Sequence, residues 1–193
     1  MRTAAVIQAA GKGSRFHSEE YKLLTNVDGK PMIVRTIETA LEAGFDEVVV
    51  VIGFHAPEMR RALVDYPVKI IENKDWVNGQ STSLSTGVRA VRDSSDRACL
   101  MLGDQPFLTT ETILAMMAES DVYPEEIIVP FCNGKRGNPI MVPASRYDLL
   151  LNLTKGDMGG KQLLITVGYH ALIVEDSGIL RDIDTVEEMK KYE

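Results

Sequence analysis

The residues best suited to chemistry lie in a short loop near the beginning of the chain. This loop follows an apolar run and reads Gly11-Lys12-Gly13-Ser14-Arg15. Glycine lets the backbone turn sharply and approach a ligand closely, and successive N–H groups in such a turn can converge on an anion. Arginine binds phosphate oxygens through a planar fork, and lysine adds a point charge. The loop, together with Lys22 further along the chain, therefore indicates a phosphate-binding site.

Two well-known phosphate loops do not fit this stretch. The chain contains no G-x-x-x-x-G-K-[ST] sequence, which a P-loop requires. In a dinucleotide-binding fingerprint a third glycine would stand where this chain has Phe16, and the apolar run 48–52 ends at Gly53 without an acidic residue for a ribose. The alternative to a phosphate site is a plain glycine-rich turn with solvated basic side chains.

One acidic residue is placed for metal binding. Asp104 follows the apolar run 98–102, and an Asp just beyond a buried strand of an α/β sheet lies at the edge where such sheets bind ligands. A carboxylate close to a phosphate loop is the expected ligand for Mg²⁺ held together with substrate phosphates. The alternative is that Asp104 caps the next helix, but Thr109 and Thr110 are nearer to that helix. We therefore predict a metal-binding role for Asp104.

The stretch Asn78-Gly79-Gln80-Ser81-Thr82-Ser83 precedes an apolar stripe at helical spacing. Ser81 or Thr82 is a natural N-cap for that helix. Polar groups at a helix N-terminus can also contact the edge of a base. Both interpretations remain open from the sequence.

Strand and helix patterns alternate along the chain. Apolar runs predict strands over 4–7, 47–52, 68–72, 98–102, 127–131, 140–142 and 171–174. Helical spacing predicts helices over 33–43, 57–63, 84–91, 110–119 and 147–153, and a C-terminal helix in which Thr185 and Glu188 form a capping box. This alternation predicts an α/β fold with right-handed crossovers and a mostly parallel sheet.

Composition limits the class of protein. The chain has 193 residues, a formal charge of −7 and 45% hydrophobic residues, so we expect one globular domain over 1–193 that binds no nucleic acid. No apolar run reaches the ~20 residues of a membrane span, and we expect no signal peptide before the first strand. Cys99 and Cys132 lie in or beside apolar runs and are expected to be buried thiols of a cytoplasmic protein.

Several short motifs, taken together and in this order, resemble the MobA-like nucleotidyltransferases, which attach a nucleoside monophosphate to the molybdenum cofactor. They are A-A-G-K-G-S-R-F at 9–16, K-L-L at 22–24, G-K-P at 29–31, G-Q-S-T-S-L at 79–84, L-G-D-Q-P at 102–106, R-G-N-P at 136–139, G-D-M-G-G-K at 156–161 and D-I-D-T at 182–185. The resemblance implies a Rossmann-like three-layer α/β/α sandwich around a mostly parallel mixed sheet, of the nucleotide-diphospho-sugar transferase type.

The first motif also bears on the nucleotide. Ala9-Ala10-Gly11 is similar to the cytidylyltransferase branch of the family, whereas the guanylyltransferase branch has L-A-G-G. The resemblance therefore implies transfer of CMP from CTP to the phosphate of molybdopterin, with release of pyrophosphate. We hypothesise that the methyl group of Ala10 narrows the base site and so favours a pyrimidine.

The resemblance implies roles for individual residues. Catalysis is expected from Arg15, Lys22 and Asp104, with Asp182 or Asp184 completing the Mg²⁺ site. The nucleotide is expected to contact Ala9, Ala10, Gly11, Lys12, Gly13, Ser14, Arg15, Lys22, Gly79, Gln80, Ser81, Ser83 and Asp104. The acceptor is expected to contact Gln105, Asn138, Pro139, Asp157 and Lys161. No general base is required, because a phosphate monoester is already ionised at neutral pH.

The sequence is also compatible with other functions. The chain could use GTP, or transfer a nucleotide to a sugar phosphate or polyol phosphate. It could instead be a non-catalytic carrier that matures a molybdenum hydroxylase, and a molybdenum hydroxylase or its maturation factor is the expected protein partner. A dehydrogenase domain is a further alternative.

Overall fold

The computed structural model describes residues 1–13, 21–153, 160–189 and 191. The strands are β1 (Thr3–Ala9), β2 (Asn26–Val27), β3 (Lys30–Pro31), β4 (Glu47–Ile52), β5 (Lys69–Glu72), β6 (Arg97–Leu102), β7 (Ile128–Cys132), β8 (Lys135–Arg136), β9 (Ile140–Pro143) and β10 (His170–Ile173). The helices are α1 (Met32–Glu42), α2 (Ala56–Ala62), α3 (Gln80–Val91), α4 (Thr110–Val122), α5 (Tyr147–Leu153), α6 (Lys161–Val167) and α7 (Val186–Met189). Short 3₁₀ turns cover Lys22–Leu24, Trp76–Asn78, Ala144–Arg146 and Ser177–Leu180. No helix in these ranges is both long and apolar enough to span a bilayer.

The central sheet is mixed and mostly parallel. Its strand order is β10-β7-β9-β6-β1-β4-β5, with β8 paired to β7. β1 runs parallel to both β4 and β6, whereas β9 is antiparallel to β6 and β7. β2 and β3 form a separate hairpin. The predicted α/β class and mixed sheet are confirmed.

The alternation of side chains along β1 produces a separate core on each face of the sheet. Ala5 and Ile7 belong to a buried cluster that includes apolar residues of α1, α2, α4 and α7. Ala4 and Val6 belong to a second cluster, formed with apolar residues of α3, α5 and α6. Successive strand residues point to opposite faces, so a buried run such as β1 serves both layers. The result is the predicted α/β/α sandwich.

Two predicted helix caps are confirmed. Thr109 caps α4 by accepting a hydrogen bond from the backbone N–H of Thr112. Thr185 and Glu188 form the predicted capping box, with Glu188 N–H donating to Thr185 Oγ1 and Thr185 N–H donating to Glu188 Oε2. Cys99 and Cys132 are buried free thiols, as expected.

The predicted cap of α3 was wrong. The helix begins at Gln80, and its N-cap is Gly79, so neither Ser81 nor Thr82 caps it. Gly79 has a φ of 105°, a backbone conformation that favours glycine, and this bend starts the helix earlier than its side chains suggest. The Thr82 hydroxyl instead donates to the carbonyl of Gly79 at 2.8 Å.

Candidate active site

A cleft of about 580 Å³ opens at the carboxyl edge of the sheet. It is lined by Gln8, Ala9, Ala10, Gly11, Lys12, Gly13, Lys22, Leu23, Trp76, Val77, Gly79, Gln80, Ser83, Leu102, Asp104, Asp182 and Asp184. β1 and β6 are parallel neighbours in which Gln8 pairs with Leu102. The glycine-rich loop after β1 and Asp104 after β6 are therefore brought to the same edge of the sheet, as the sequence predicted.

Lys22 lies at the acidic end of the cleft. Its Nζ is 2.8 Å from Asp104 Oδ2 and 3.0 Å from Asp184 Oδ1, and its side chain is only 6% exposed. Burial alone would lower the pKa of Lys22, but attraction to Asp104 and hydrogen bonds to both carboxylates outweigh it and raise that pKa. The lysine therefore stays charged, and its ammonium group binds both carboxylates.

The acidic groups outnumber this cation. Asp182 also lines the cleft, and burial, followed by repulsion from Asp104 and Asp184, raises its pKa. A cluster of carboxylates with one ammonium favours an added cation, and oxygen ligands suit Mg²⁺. Within the described ranges, no group of three or more His, Cys, Asp or Glu side chains is arranged to hold a metal ion. A cation here would therefore also need oxygen ligands from water or from a bound phosphate, which is how Mg²⁺ is usually held.

Gly13 makes room for Lys22. Its φ is 64°, and an added Cβ would lie 3.1 Å from Cδ and 3.2 Å from Cβ of Lys22. A hypothetical Cβ on Gly11 would meet nothing within 4 Å. Glycine at position 13 therefore suits both the left-handed backbone and the close path of the lysine side chain, whereas Gly11 leaves open space beside the backbone.

Tyr21 supports the glycine-rich loop through its hydroxyl group, a role that no sequence motif indicated. Its hydroxyl lies 2.9 Å from the carbonyl oxygen of Gly11 and 3.1 Å from that of Ala9. Burial, with a smaller contribution from Asp104, raises the pKa of Tyr21, so the hydroxyl remains a donor at neutral pH. Tyr21 therefore ties the end of β1 to the segment that carries Lys22.

The other end of the cleft is more apolar and includes two residues that sequence reasoning missed. The 3₁₀ turn Trp76–Asn78 contributes Trp76 and Val77, and Val77 is 69% exposed. An added Cβ on Gly53 would lie 2.8 Å from Trp76 Cβ and 2.9 Å from Ala10 Cβ. The methyl group of Ala10 is thus packed close to this turn, and only 1% of Ala10 is exposed.

Only some of the residues predicted to contact a base line the cleft. Gly79, Gln80 and Ser83 line the cleft, whereas Ser81 is buried and does not line it. Ser83 Oγ accepts a hydrogen bond of 3.1 Å from Asn73 Nδ2. Asn73 follows β5 and is a supporting residue that the motif comparison did not single out.

Of the residues predicted to contact the acceptor, the four that the structure describes do not line the cleft. Gln105 is 2% exposed, and its Nε2 donates to the carbonyl of Ile179. Pro139 is buried, and the backbone N–H of Asn138 also donates to Ile179. Lys161 is exposed at the first position of α6. Three predicted site residues, Ser14, Arg15 and Asp157, lie outside the described residues.

Comparison with known proteins gives the family context of this cleft. A family model described as "MobA-like NTP transferase domain" matches residues 5–171. Among curated proteins, the "Bifunctional protein GlmU" of Syntrophotalea carbinolica is 33% identical over 139 residues, which cover 68% of this chain and 30% of that protein. The chain therefore spans less than a third of the length of such relatives.

Solved structures match over the whole length of the chain. A nucleotidyl transferase from Methanothermobacter thermautotroptrophicus is 25% identical with a TM-score of 0.83, covering 98% of this chain and 95% of that one. The protein Rv0371c from Mycobacterium tuberculosis is also 25% identical, with a TM-score of 0.84 and coverage of 99% and 97%. The fold is the nucleotide-diphospho-sugar transferase type that was predicted.

Proposed function

We propose that this chain, which belongs to the MobA-like NTP transferase family, transfers CMP from CTP to the phosphate of molybdopterin and releases pyrophosphate. The observation that carries this proposal is the meeting of three features in one cleft. The glycine-rich loop at 11–13, the buried ammonium of Lys22 and the carboxylate of Asp104 share that cleft. This combination suits a triphosphate, whose charge must be neutralised before a second anion can approach.

The chain's residues would act mainly by binding and orienting the two anions. An oxygen of the acceptor phosphate forms a bond to the α-phosphorus of CTP, and the bond from that phosphorus to the oxygen bridging the β-phosphorus breaks. Lys22 would bind the α-phosphate, while the loop N–H groups and Arg15 would bind the β- and γ-phosphates. No histidine of the described part of the chain lines the cleft. This is compatible with a nucleophile that needs no general base, since the second pKa of a phosphate is about 6.

Asp104, with Asp182 or Asp184, would hold Mg²⁺ together with phosphate oxygens. When bound, such a cation supplies charge neutralisation at the reacting phosphate. The excess of carboxylates over Lys22 at this end of the cleft supports the assignment.

The preference for CTP rests on Ala10. Its methyl group packs near Gly53 and the Trp76–Asn78 turn, so it would narrow the base end of the cleft by supporting that turn. Replacing Ala10 with Gly should allow the turn to move, and we expect the ratio of CTP to GTP turnover to fall. An unchanged ratio would contradict this role for Ala10.

The decisive experiment is incubation with each of the four nucleoside triphosphates and Mg²⁺, with and without molybdopterin, while pyrophosphate release is followed. We expect release only with CTP and molybdopterin together. Pyrophosphate release with a sugar phosphate or polyol phosphate, but not with molybdopterin, would show that the acceptor is one of those phosphates instead. Tight stoichiometric binding of molybdopterin without any turnover would instead support a carrier that delivers the cofactor to a molybdenum hydroxylase.

A further inference from the structure

Two of the cleft's carboxylates come from a segment outside the sheet. Residues 176–184 follow β10, and Asp182 and Asp184 reach the cleft from this C-terminal segment. Asp184 Oδ1 lies 3.0 Å from Lys22 Nζ. The position of this segment therefore decides how the acidic end of the cleft is arranged.

This C-terminal segment packs against the loop that carries Asp104. The backbone N–H of Ile183 donates to the carbonyl of Asp104 at 3.2 Å. Gly178 lies so close to Phe107 that an added Cβ would overlap with the carbonyl group of Phe107. These backbone contacts join the segment to the loop at both of its ends, but neither is made by a side chain.

Gln105 provides a side-chain link between these two contacts. It is the residue next to Asp104, it is 2% exposed, and its Nε2 donates to the carbonyl of Ile179 at 3.2 Å. The same carbonyl accepts the backbone N–H of Asn138 at 3.0 Å. Ile179 is fully buried, and an added Cβ on Gly137 would lie 2.6 Å from its side chain. The amide of Gln105 therefore joins the Asp104 loop to a rigidly packed point of the C-terminal segment.

The oxygen of the Gln105 amide, unlike its nitrogen, is in an unfavourable environment. Gln105 Oε1 is buried and has no hydrogen-bond partner among the described residues. A buried acceptor without a partner destabilises a protein, whereas an apolar side chain of similar size would avoid that cost. The contact that the amide does make is thus the feature that distinguishes glutamine from leucine at this position.

We propose that Gln105 is a positioning residue for the metal-binding carboxylates: through Ile179 it holds the C-terminal segment so that Asp182 and Asp184 face Asp104. This inference rests on the metal site of the proposed function. It replaces the acceptor contact expected for Gln105, because the side chain is buried away from the cleft. The two roles differ in what they affect, since positioning acts on metal affinity and an acceptor contact acts on the KM for the acceptor.

The test is Mn²⁺ binding to the full chain, measured by electron paramagnetic resonance without nucleotide, for the wild type and Gln105→Leu. We expect Gln105→Leu to weaken Mn²⁺ binding about fivefold, the effect of losing one well-placed hydrogen bond. Amide hydrogen exchange in 177–184 should become faster, and the KM for the acceptor should not change. Gln105→Met is similar in length and also lacks the N–H donor, so it should weaken Mn²⁺ binding in the same direction.

The matched control is Tyr147→Phe. This change also removes one hydrogen bond, here a partly buried one between Tyr147 and Ser95, but Tyr147 belongs to the core on the other face of the sheet. It should lower stability while leaving Mn²⁺ affinity unchanged. If Gln105→Leu acted only through a general loss of stability, Tyr147→Phe would weaken Mn²⁺ binding as well. Weaker Mn²⁺ binding in both variants would therefore overturn the positioning role.

Failure of the inference is distinguishable from failure of the proposed function. Wild-type Mn²⁺ affinity in both Gln105 variants would overturn the inference even if the wild type transfers CMP, and so would a raised acceptor KM with unchanged Mn²⁺ affinity. If instead the wild type releases no pyrophosphate with any nucleotide, while Gln105→Leu still binds Mn²⁺ more weakly than the control, the inference stands without the transferase assignment.

Discussion

The ammonium nitrogen of Lys22 lies 2.8 Å from Oδ2 of Asp104, although the two residues are 82 positions apart in the chain. Asp104 is also the carboxylate that we expect to bind a divalent cation. An ammonium and a divalent cation repel each other at this distance, so they compete for the same oxygens. Phosphates of a bound nucleotide would offer Lys22 another anionic partner and so release Asp104 for the metal.

Replacing Lys22 with Met should therefore have opposite effects on metal binding and on transfer. Without nucleotide, we expect Lys22→Met to bind Mn²⁺ about tenfold more tightly, because a repelling charge is removed. Transfer of CMP should be lost, because the α-phosphate loses its cationic partner. Mn²⁺ binding can be measured by electron paramagnetic resonance, with Lys69→Met, which breaks an exposed ion pair to Glu47, as the control. Weaker Mn²⁺ binding in Lys22→Met would contradict this competition.

Replacing Asp104 with Asn should reduce metal-dependent turnover by ~10²–10³, by analogy with the removal of one preorganised transition-state contact. Binding of CTP should be weakened but still measurable, because the glycine-rich loop and Lys22 remain. Pyrophosphate release and calorimetry measure the two quantities separately. Asp121→Asn is the control, because Asp121 also pairs with a basic residue, Arg97, but does not line the cleft. Full activity of Asp104→Asn would exclude Asp104 from the mechanism.

Replacing Tyr21 with Phe should loosen the glycine-rich loop after β1. The change removes the hydroxyl that lies within hydrogen-bonding distance of Gly11 and Ala9, but it keeps the ring stacked on His55. We expect the free energy of unfolding to fall by about 1 kcal/mol, seen as a lower urea midpoint with an unchanged m-value. Nucleotide affinity should fall about fivefold, because the loop is less preorganised. An unchanged affinity for nucleotide would show that the loop needs no support from Tyr21.

Trp76 offers a direct test of where the nucleoside binds. It is the only tryptophan of the chain. It lines the cleft after β5, and β4 and β1 lie between β5 and the strand β6 that precedes Asp104. We expect CTP to change the intrinsic fluorescence of the protein, and the signal should disappear in Trp76→Phe while calorimetric binding persists. Binding detected by calorimetry without any change in fluorescence would place the nucleoside away from the Trp76–Asn78 turn.

The sequence was sufficient for features that depend on neighbouring residues. The apolar runs predicted the strands, the glycines predicted the loop after β1, and Thr109 and Thr185 predicted helix caps that the structure contains. Asp104 could be assigned to the ligand edge because the carboxyl end of a buried parallel strand lies there in any open α/β sheet. Periodicity and turn formation are local, and a single stretch of chain contains all the information they need.

Only the tertiary structure could decide which distant side chains meet. The pairing of Lys22 with Asp184 joins residues 162 positions apart, and no spacing in the sequence distinguishes Asp184 from Asp182 as its partner. Packing between elements likewise decides the hydrogen bond from Gln105 to Ile179, the support of the loop by Tyr21 and the contribution of Trp76 to the cleft. Such contacts form only when the sheet and its two helical layers are assembled, because each one needs two segments that the chain separates.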